Sequence, residues 1–149
     1  MAGRGGNNPR PAALAELLDH VFRTIDSASY GDTLNPAQWS ALRFLNKTPS
    51  SGRNVKSYAA YHRVSGAAAS KTMSSLLRKR LITKVRDPQD SRSVLLSLTT
   101  RGETQLEKDP LLALVNAFAA LEPDDLNAAA TALVQVARDV VEKKDAEPS

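Results

Sequence analysis

The sequence predicts a mainly α-helical fold with a single small β-hairpin, and three observations predict it. Apolar residues recur at helical spacing through most of the 149 residues. Two short β-prone runs, Leu81 to Arg86 and Val94 to Leu98, flank a polar tip, Asp87-Pro88-Gln89-Asp90-Ser91-Arg92-Ser93, with Pro and Asp turn chemistry. Charge is also concentrated. From Gly52 to Arg101 there are eleven Lys or Arg and two acids, whereas the remainder holds nine basic and fourteen acidic residues. A net +9 on one third of the chain, with acidic flanks, is the electrostatic footprint of a surface for nucleic acid.

Taken in order, Met1 to Arg10 is too polar and permissive to pack, and residues 1–10 are read as a disordered arm. Leu14, Leu17, Leu18, Val21, Phe22 and Ile25 give a first helix from about Pro11 to Ser29, broken by Tyr30-Gly31-Asp32. Asn35-Pro36 supplies an N-cap and a first-turn proline, and Trp39, Leu42, Phe44 and Leu45 carry a second helix to about Asn46. A Ser/Pro/Gly loop leads to a short third helix, Val55 to His62, with Tyr58 and Ala59 inward. After the turn His62-Arg63-Val64, Ser65 caps a central helix of about fifteen residues. Ala69, Thr72, Met73, Leu76 and Arg80 share one of its faces, and Ala67, Lys71, Ser74 and Arg78 the other.

Beyond the hairpin, Thr100-Arg101-Gly102-Glu103 has capping-box spacing and opens a helix to Lys108. Asp109-Pro110 is either a kink or a new N-cap before an apolar stripe through Leu111, Leu114, Val115, Phe118 and Leu121. Pro123-Asp124-Asp125 starts a last helix to about Glu142, its stripe running through Leu126, Ala130, Leu133, Ala137, Val140 and Val141. Residues from Lys143 onward are expected to fray.

A helix with a small cationic outer face followed at once by a basic hairpin is the outline of a winged helix-turn-helix. The residues Tyr58-Ala59-Ala60, Val64-Ser65, Leu76-x4-Leu81-Ile82 and, above all, Asp87-Pro88-x-Asp90-x-Arg92 followed by Leu98-Thr99-x-x-Gly102 resemble the MarR family of bacterial transcription regulators. The resemblance is strongest from Lys56 to Gly102. Arg63 and Arg80 depart from it, since a glycine is usual at such turns. It implies a single domain over residues 11–149, in which 35–102 form the DNA-binding lobe and 11–34 and 103–143 the helices that intertwine into a homodimer. A two-fold protein matches a pseudo-palindromic operator, so the reading is a sequence-specific DNA-binding regulator, a repressor.

On that reading Ser65, Ala67, Ser70, Lys71, Ser74, Ser75 and Arg78 of the central helix face DNA, with plain solvent exposure an equal alternative for Ser70 and Ser75. Arg86, Asp90, Ser91 and Arg92 form the wing site, Asp90 orienting the Arg92 guanidinium toward the minor groove. The resemblance further implies release by a small anionic aromatic ligand, with Tyr30, Trp39 and Arg43 as candidates to line its cleft. Two other readings are a non-specific architectural DNA-binding protein, which the focal charge disfavours, and a partner-binding module on a winged-helix scaffold, which the polar outer helix face disfavours.

The sequence carries no cysteine, so disulfides, thiolate metal sites and thiol-based oxidant sensing are excluded. His20 and His62 are isolated, His20 expected at the helical interface and His62 at the helix-turn-helix turn. Neither has metal-ligand spacing. No nucleophile motif or phosphate-cradling Gly-rich loop occurs, and an enzyme is not expected, nor a cofactor. No apolar run is long enough to span a bilayer, which makes the cytoplasm the expected location.

Overall fold

A computed structural model describes residues 10–28 and 34–146 and falls into two units, one ending at Pro110 and one beginning at Leu111. The first unit contains α1 (Pro11–Ala28), α2 (Pro36–Lys47), a single 3-10 turn (Ser50–Gly52), α3 (Val55–His62), α4 (Gly66–Arg78), β1 (Ile82–Arg86), β2 (Val94–Leu98) and α5 (Thr100–Leu106). The second contains α6 (Leu112–Ala119) and α7 (Pro123–Ala146). The expected arm at residues 1–9 and the break at Tyr30-Gly31-Asp32 lie outside the described residues.

The core of the first unit is built around α2. Trp39, Ala41, Leu42, Phe44 and Leu45 are buried, and Tyr58, Ala69, Met73, Leu76, Leu81, Ile82 and Leu96 close around them from α3, α4 and the hairpin. Local chemistry fixes where α2 starts. The Asn35 side chain accepts from the Gln38 N–H at 2.9 Å, and the Gln38 side chain accepts from the Asn35 N–H, a complete capping box with proline in the first turn. Gln38 also donates from Nε2 to Ser75 Oγ at 2.7 Å, tying the start of α2 to the middle of α4.

The strands pair antiparallel, from Ile82 opposite Leu98 to Arg86 opposite Val94. The first strand starts one residue later than expected, the Leu81 N–H being taken by the Leu76 carbonyl at 3.1 Å. At the exit of the hairpin, α5 is capped by Thr99 rather than Thr100: Thr99 Oγ1 accepts from the Gly102 N–H at 3.1 Å and donates to the Arg80 carbonyl at 2.8 Å. Close approach decides this one-residue difference, since a Cβ on Gly102 would lie 2.1 Å from the Leu81 carbonyl oxygen. Only glycine fits there. Helix α5 packs on α2 and β2.

Two further boundaries differ from the sequence reading. Asp109 is not the N-cap residue of α6, which begins at Leu112 after Leu111; its carboxylate, 8% exposed, takes a bidentate pair from Arg43 at 2.5 and 3.0 Å. The last helix does not fray at Lys143 but runs on to Ala146, with Lys143 and Lys144 in its last turn, where cations suit the negative end of the dipole.

The terminal helices keep their stripes largely uncovered. In α1, Leu14, Leu17 and Phe22 are exposed, with Leu18, Val21 and Ile25 half-buried. In the second unit Leu112, Val115, Leu126, Leu133, Val134, Val136 and Val140 are exposed. His20 is exposed as well. No described helix is long and apolar enough to cross a membrane.

Candidate nucleic-acid interface

Helices α3 and α4 are set by three local devices. Asn54 caps α3, accepting from the Ser57 N–H at 2.8 Å. Arg63 ends it in the left-handed region, φ 52°, so that the Arg63 N–H turns back onto the Ala60 carbonyl and the Val64 N–H onto the Ala59 carbonyl. Ser65 then caps α4 by accepting from the Ala68 N–H at 3.1 Å. The Ser65 hydroxyl is thereby committed to the helix, while the residue itself stays exposed at the edge of the outer face.

The inner face of α4 is Ala69, Met73 and Leu76, all buried, with Leu77 packed beside them. Its outer face presents Ala67, Ser70, Lys71, Ser74 and Arg78, all exposed. Ser75 departs from the expected set because it is half-buried and accepts from Gln38. Arg80 departs from the expected inner face because the helix stops at Arg78 and Arg80 adopts φ 58°. Thirteen residues give α4 a length of about 20 Å, and a major groove ~12 Å wide admits such a rod.

The wing tip is held by carboxylates. Asp87 Oδ1 accepts from the Gln89 N–H at 2.9 Å, and the Asp87 N–H donates to the Ser93 carbonyl. Asp90 accepts from the Arg92 N–H at 3.0 Å and from Ser93 Oγ at 2.8 Å. These donors, the Arg92 amide first and then the Ser93 hydroxyl, hold the Asp90 carboxyl below its usual range. The expectation that Asp90 orients the guanidinium is therefore corrected. Among the described residues no carboxylate pairs with the Arg92 guanidinium, and Asp90 orients the Arg92 backbone instead. Arg86, Ser91 and Arg92 are exposed around this ordered turn.

Trp39 is 1% exposed in the core, Arg43 is engaged by Asp109, and Tyr30 lies outside the described residues. Cavities of about 230 and 310 Å³ flank α4. Val55, Ser70, Ser74, Leu77 and Lys84 are among the residues lining the first, and Gln38, Lys71, Thr72, Ser75 and Arg78 among those lining the second. Sequence reasoning missed Gln38 and Lys84. The Asn35-x-x-Gln38 spacing was the available signal for Gln38, whereas Lys84 carries none beyond its charge. Among the described residues no cluster of His, Cys, Asp or Glu could hold a metal ion.

His62, at the helix-turn-helix turn as expected, is packed among aromatic rings: Tyr58 at 4.6 Å, Tyr61 at 4.9 Å and Phe44 at 6.3 Å between centroids. Its Nε2 is buried without a hydrogen-bond partner. Burial, and then the charges of Lys47 and Arg43, lower its pKa below the ordinary value.

A helix-turn-helix with an ordered basic hairpin against its second helix defines a winged helix-turn-helix protein. Solved structures agree on that fold. The S. aureus MepR–DNA complex superposes with a TM-score of 0.70 at 20% identity over 90% of this chain and 99% of that one. S. aureus MepR bound to ethidium bromide gives 0.62 at 20% identity over 90% and 99%. YusO from Bacillus subtilis gives 0.60 at 22% identity over 85% and 91%. Residues 32–93, which hold the helix-turn-helix and most of the wing, match the model of the MarR family. No curated protein matches the sequence.

Proposed function

We propose that this chain is a sequence-specific DNA-binding transcription regulator, a repressor that acts as a homodimer on a two-fold operator and is released by a small aromatic effector. One observation carries the reading: the uncompensated cations of the segment stand on exposed surfaces, Lys71 and Arg78 on the outer face of α4 and Arg86 and Arg92 on the wing. A helix N-terminus with small residues, Gly66, Ala67 and Ala68, lets the backbone approach a groove closely. Lys71 and Arg78 then reach phosphate or base edges, and Arg92 reaches the minor groove, where a narrow A·T tract attracts a guanidinium. The MepR complex contains DNA, which is consistent with the same use here.

The dimer is supported by the exposed stripes of α1, α6 and α7. A lone chain would leave apolar surface of this extent in water, and each large side chain fully buried by a second copy contributes about 1.5–3 kcal/mol.

Selection of bound DNA from a random pool tests the reading directly: the enriched motif should be two-fold symmetric, and a pool without an enriched motif would refute sequence specificity. On the selected site, Lys71→Ala and Arg78→Ala should each weaken binding and flatten its salt dependence. Arg92→Ala should reduce affinity by about 1–3 kcal/mol, the scale of one groove contact, without altering melting temperature. Asp90→Ala should give a smaller loss through a looser tip. Full affinity in both Arg92→Ala and Lys71→Ala would place the DNA elsewhere.

A further inference from the structure

A third cavity, of about 380 Å³, lies behind α4, where its C-terminal turn meets the start of α5. Arg78, Lys79, Arg80, Leu81, Arg101 and Gln105 line it. Four of the six are cations, none is an acid, and the chain has no Asp or Glu at all from Val64 to Arg86. The operator reading uses Arg78 but leaves Lys79, Arg80 and Arg101 without a role.

Part of this charge has a mundane role. Arg78 and Lys79 at the end of α4 suit the negative end of the helix dipole. That account does not extend to Arg101, which sits in the first turn of α5, where a cation is disfavoured. Nor does it explain Arg80. A non-glycine residue at φ 58° costs about 1–2 kcal/mol, and glycine would fill the turn without strain. The side chain of Arg80 therefore gives the position something that glycine cannot.

The backbone under these side chains is also rigid. The Arg80 N–H donates to the Leu77 carbonyl at 3.0 Å, and its own carbonyl accepts from Thr99 Oγ1. The Thr99 N–H donates to the Leu81 carbonyl at 3.0 Å, and Gly102 seats α5 directly on that peptide. The bases of Arg80 and Arg101 are thus held in fixed register across the cleft. Arginines on two clamped elements, lining a cavity without a carboxylate, are suited to the multiply charged oxygens of phosphate.

The geometry points to a phosphate-binding cleft formed by Arg78, Arg80 and Arg101, whose occupant is either a free polyphosphate anion or a phosphate of bound DNA. The proposal goes beyond the operator reading and does not need it, because one arm of its test contains no DNA.

In that arm, sodium tripolyphosphate is titrated calorimetrically into the full chain at low salt. One anion should bind per chain. Arg80→Gly, which relieves the backbone while removing the guanidinium, and Arg101→Gln should each weaken binding at least about tenfold, the effect of losing one charge-assisted contact. Arg92→Gln on the wing should not alter it. Arg80→Gly should melt no lower than the parent, so that lost binding is not lost folding. In the second arm the same variants bind duplex DNA over a range of salt. Loss of tripolyphosphate binding with unchanged DNA binding identifies a free anion as the occupant. Silence toward tripolyphosphate, with a salt slope reduced by about one in each variant, identifies a backbone phosphate. Full retention of both activities in Arg80→Gly and Arg101→Gln overturns the cleft, as does an equal loss of tripolyphosphate binding in Arg92→Gln, which would mean a diffuse basic field.

Discussion

The helix-turn-helix lobe and the terminal helices are both amphipathic, yet they finish differently. In the lobe the apolar stripes of α2 and α4 end in neighbours: Leu42, Leu45, Ala69 and Leu76 are completely inaccessible to solvent. In α1 and α7 comparable stripes end in water, with Phe22 and Val140 more than half exposed. The lobe is a finished hydrophobic object within one chain. The terminal helices have the residues for burial without the surface to bury against, which is the condition of one half of an interface.

The largest test of that contrast targets the finished half. Gly102→Ala drives a methyl group into the Leu81 carbonyl, so α5 must lift from the hairpin, and urea denaturation should show a loss of about 3 kcal/mol or more. Retained stability would mean that the contact yields easily and the lobe is looser than its burial implies.

A charge on the unfinished half should act through association. Leu133→Asp alters an exposed residue of the single chain, so folding of a lone chain would hardly change, whereas a dimer buried there would lose about 2 kcal/mol or more. Light scattering should show the parent at twice the 16.0 kDa chain mass and the variant shifted toward one chain. A parent that stays at one chain mass at high concentration ends the dimer proposal.

Smaller effects sharpen the picture inside the lobe. Arg63→Gly places glycine where φ is 52° and should gain about 0.5–1 kcal/mol, the relief of the left-handed conformation less the added freedom of the unfolded chain. His62 gives the smallest and most specific signal. Its folded pKa is depressed, so the unfolded chain takes up a proton near pH 6.5 that the folded chain resists. Stability from this group is complete above about that pH and is lost as pH falls toward the lower folded pKa. His62→Phe should flatten the dependence of melting temperature on pH across this window, and an unchanged slope would assign it to other groups.

The order of elements was legible because it is written locally. Asn35-Pro36, Asn54, Ser65 and Pro123 each announce a helix start within one turn, and the apolar period follows. What the sequence hid was decided by partners distant along the chain. Asp109 reads locally as a helix start, whereas its carboxylate is held by Arg43, 66 residues away, and α6 begins at Leu112. Ser75 looks solvent-facing until Gln38 reaches it across 37 residues. Thr99 and Thr100 are equivalent caps by local pattern, and the Leu81 carbonyl chooses between them. The two left-handed positions were legible only in part. Arg63 and Arg80 occupy turns that favour glycine, and the chain adopts the conformation despite the residue. At the wing the sequence brought Asp90 and Arg92 together, but a short carboxylate reaches an amide two residues on more readily than it reaches the end of a long flexible side chain.

One contact of the hairpin bears on how the chain survives at high concentration. Val94-Leu95-Leu96-Ser97-Leu98 is a short, uncharged, proline-free run of strand-forming residues, the kind of segment that recruits copies of itself into cross-β stacks. In a two-stranded ribbon its outer edge would stand open. Here the Leu96 amide, pointing away from β1, is taken by the Arg53 carbonyl at 2.6 Å, and the Arg53 side chain is in turn tethered to the Thr48 carbonyl. The other edge is β1, where Lys84 and Arg86 put charge along the rim. The loop after α2 thus serves as a guard on the stickiest segment of the molecule, and a chain cleaved or loosened between Lys47 and Asn54 would expose that segment to its own copies and precipitate before its helices unfold.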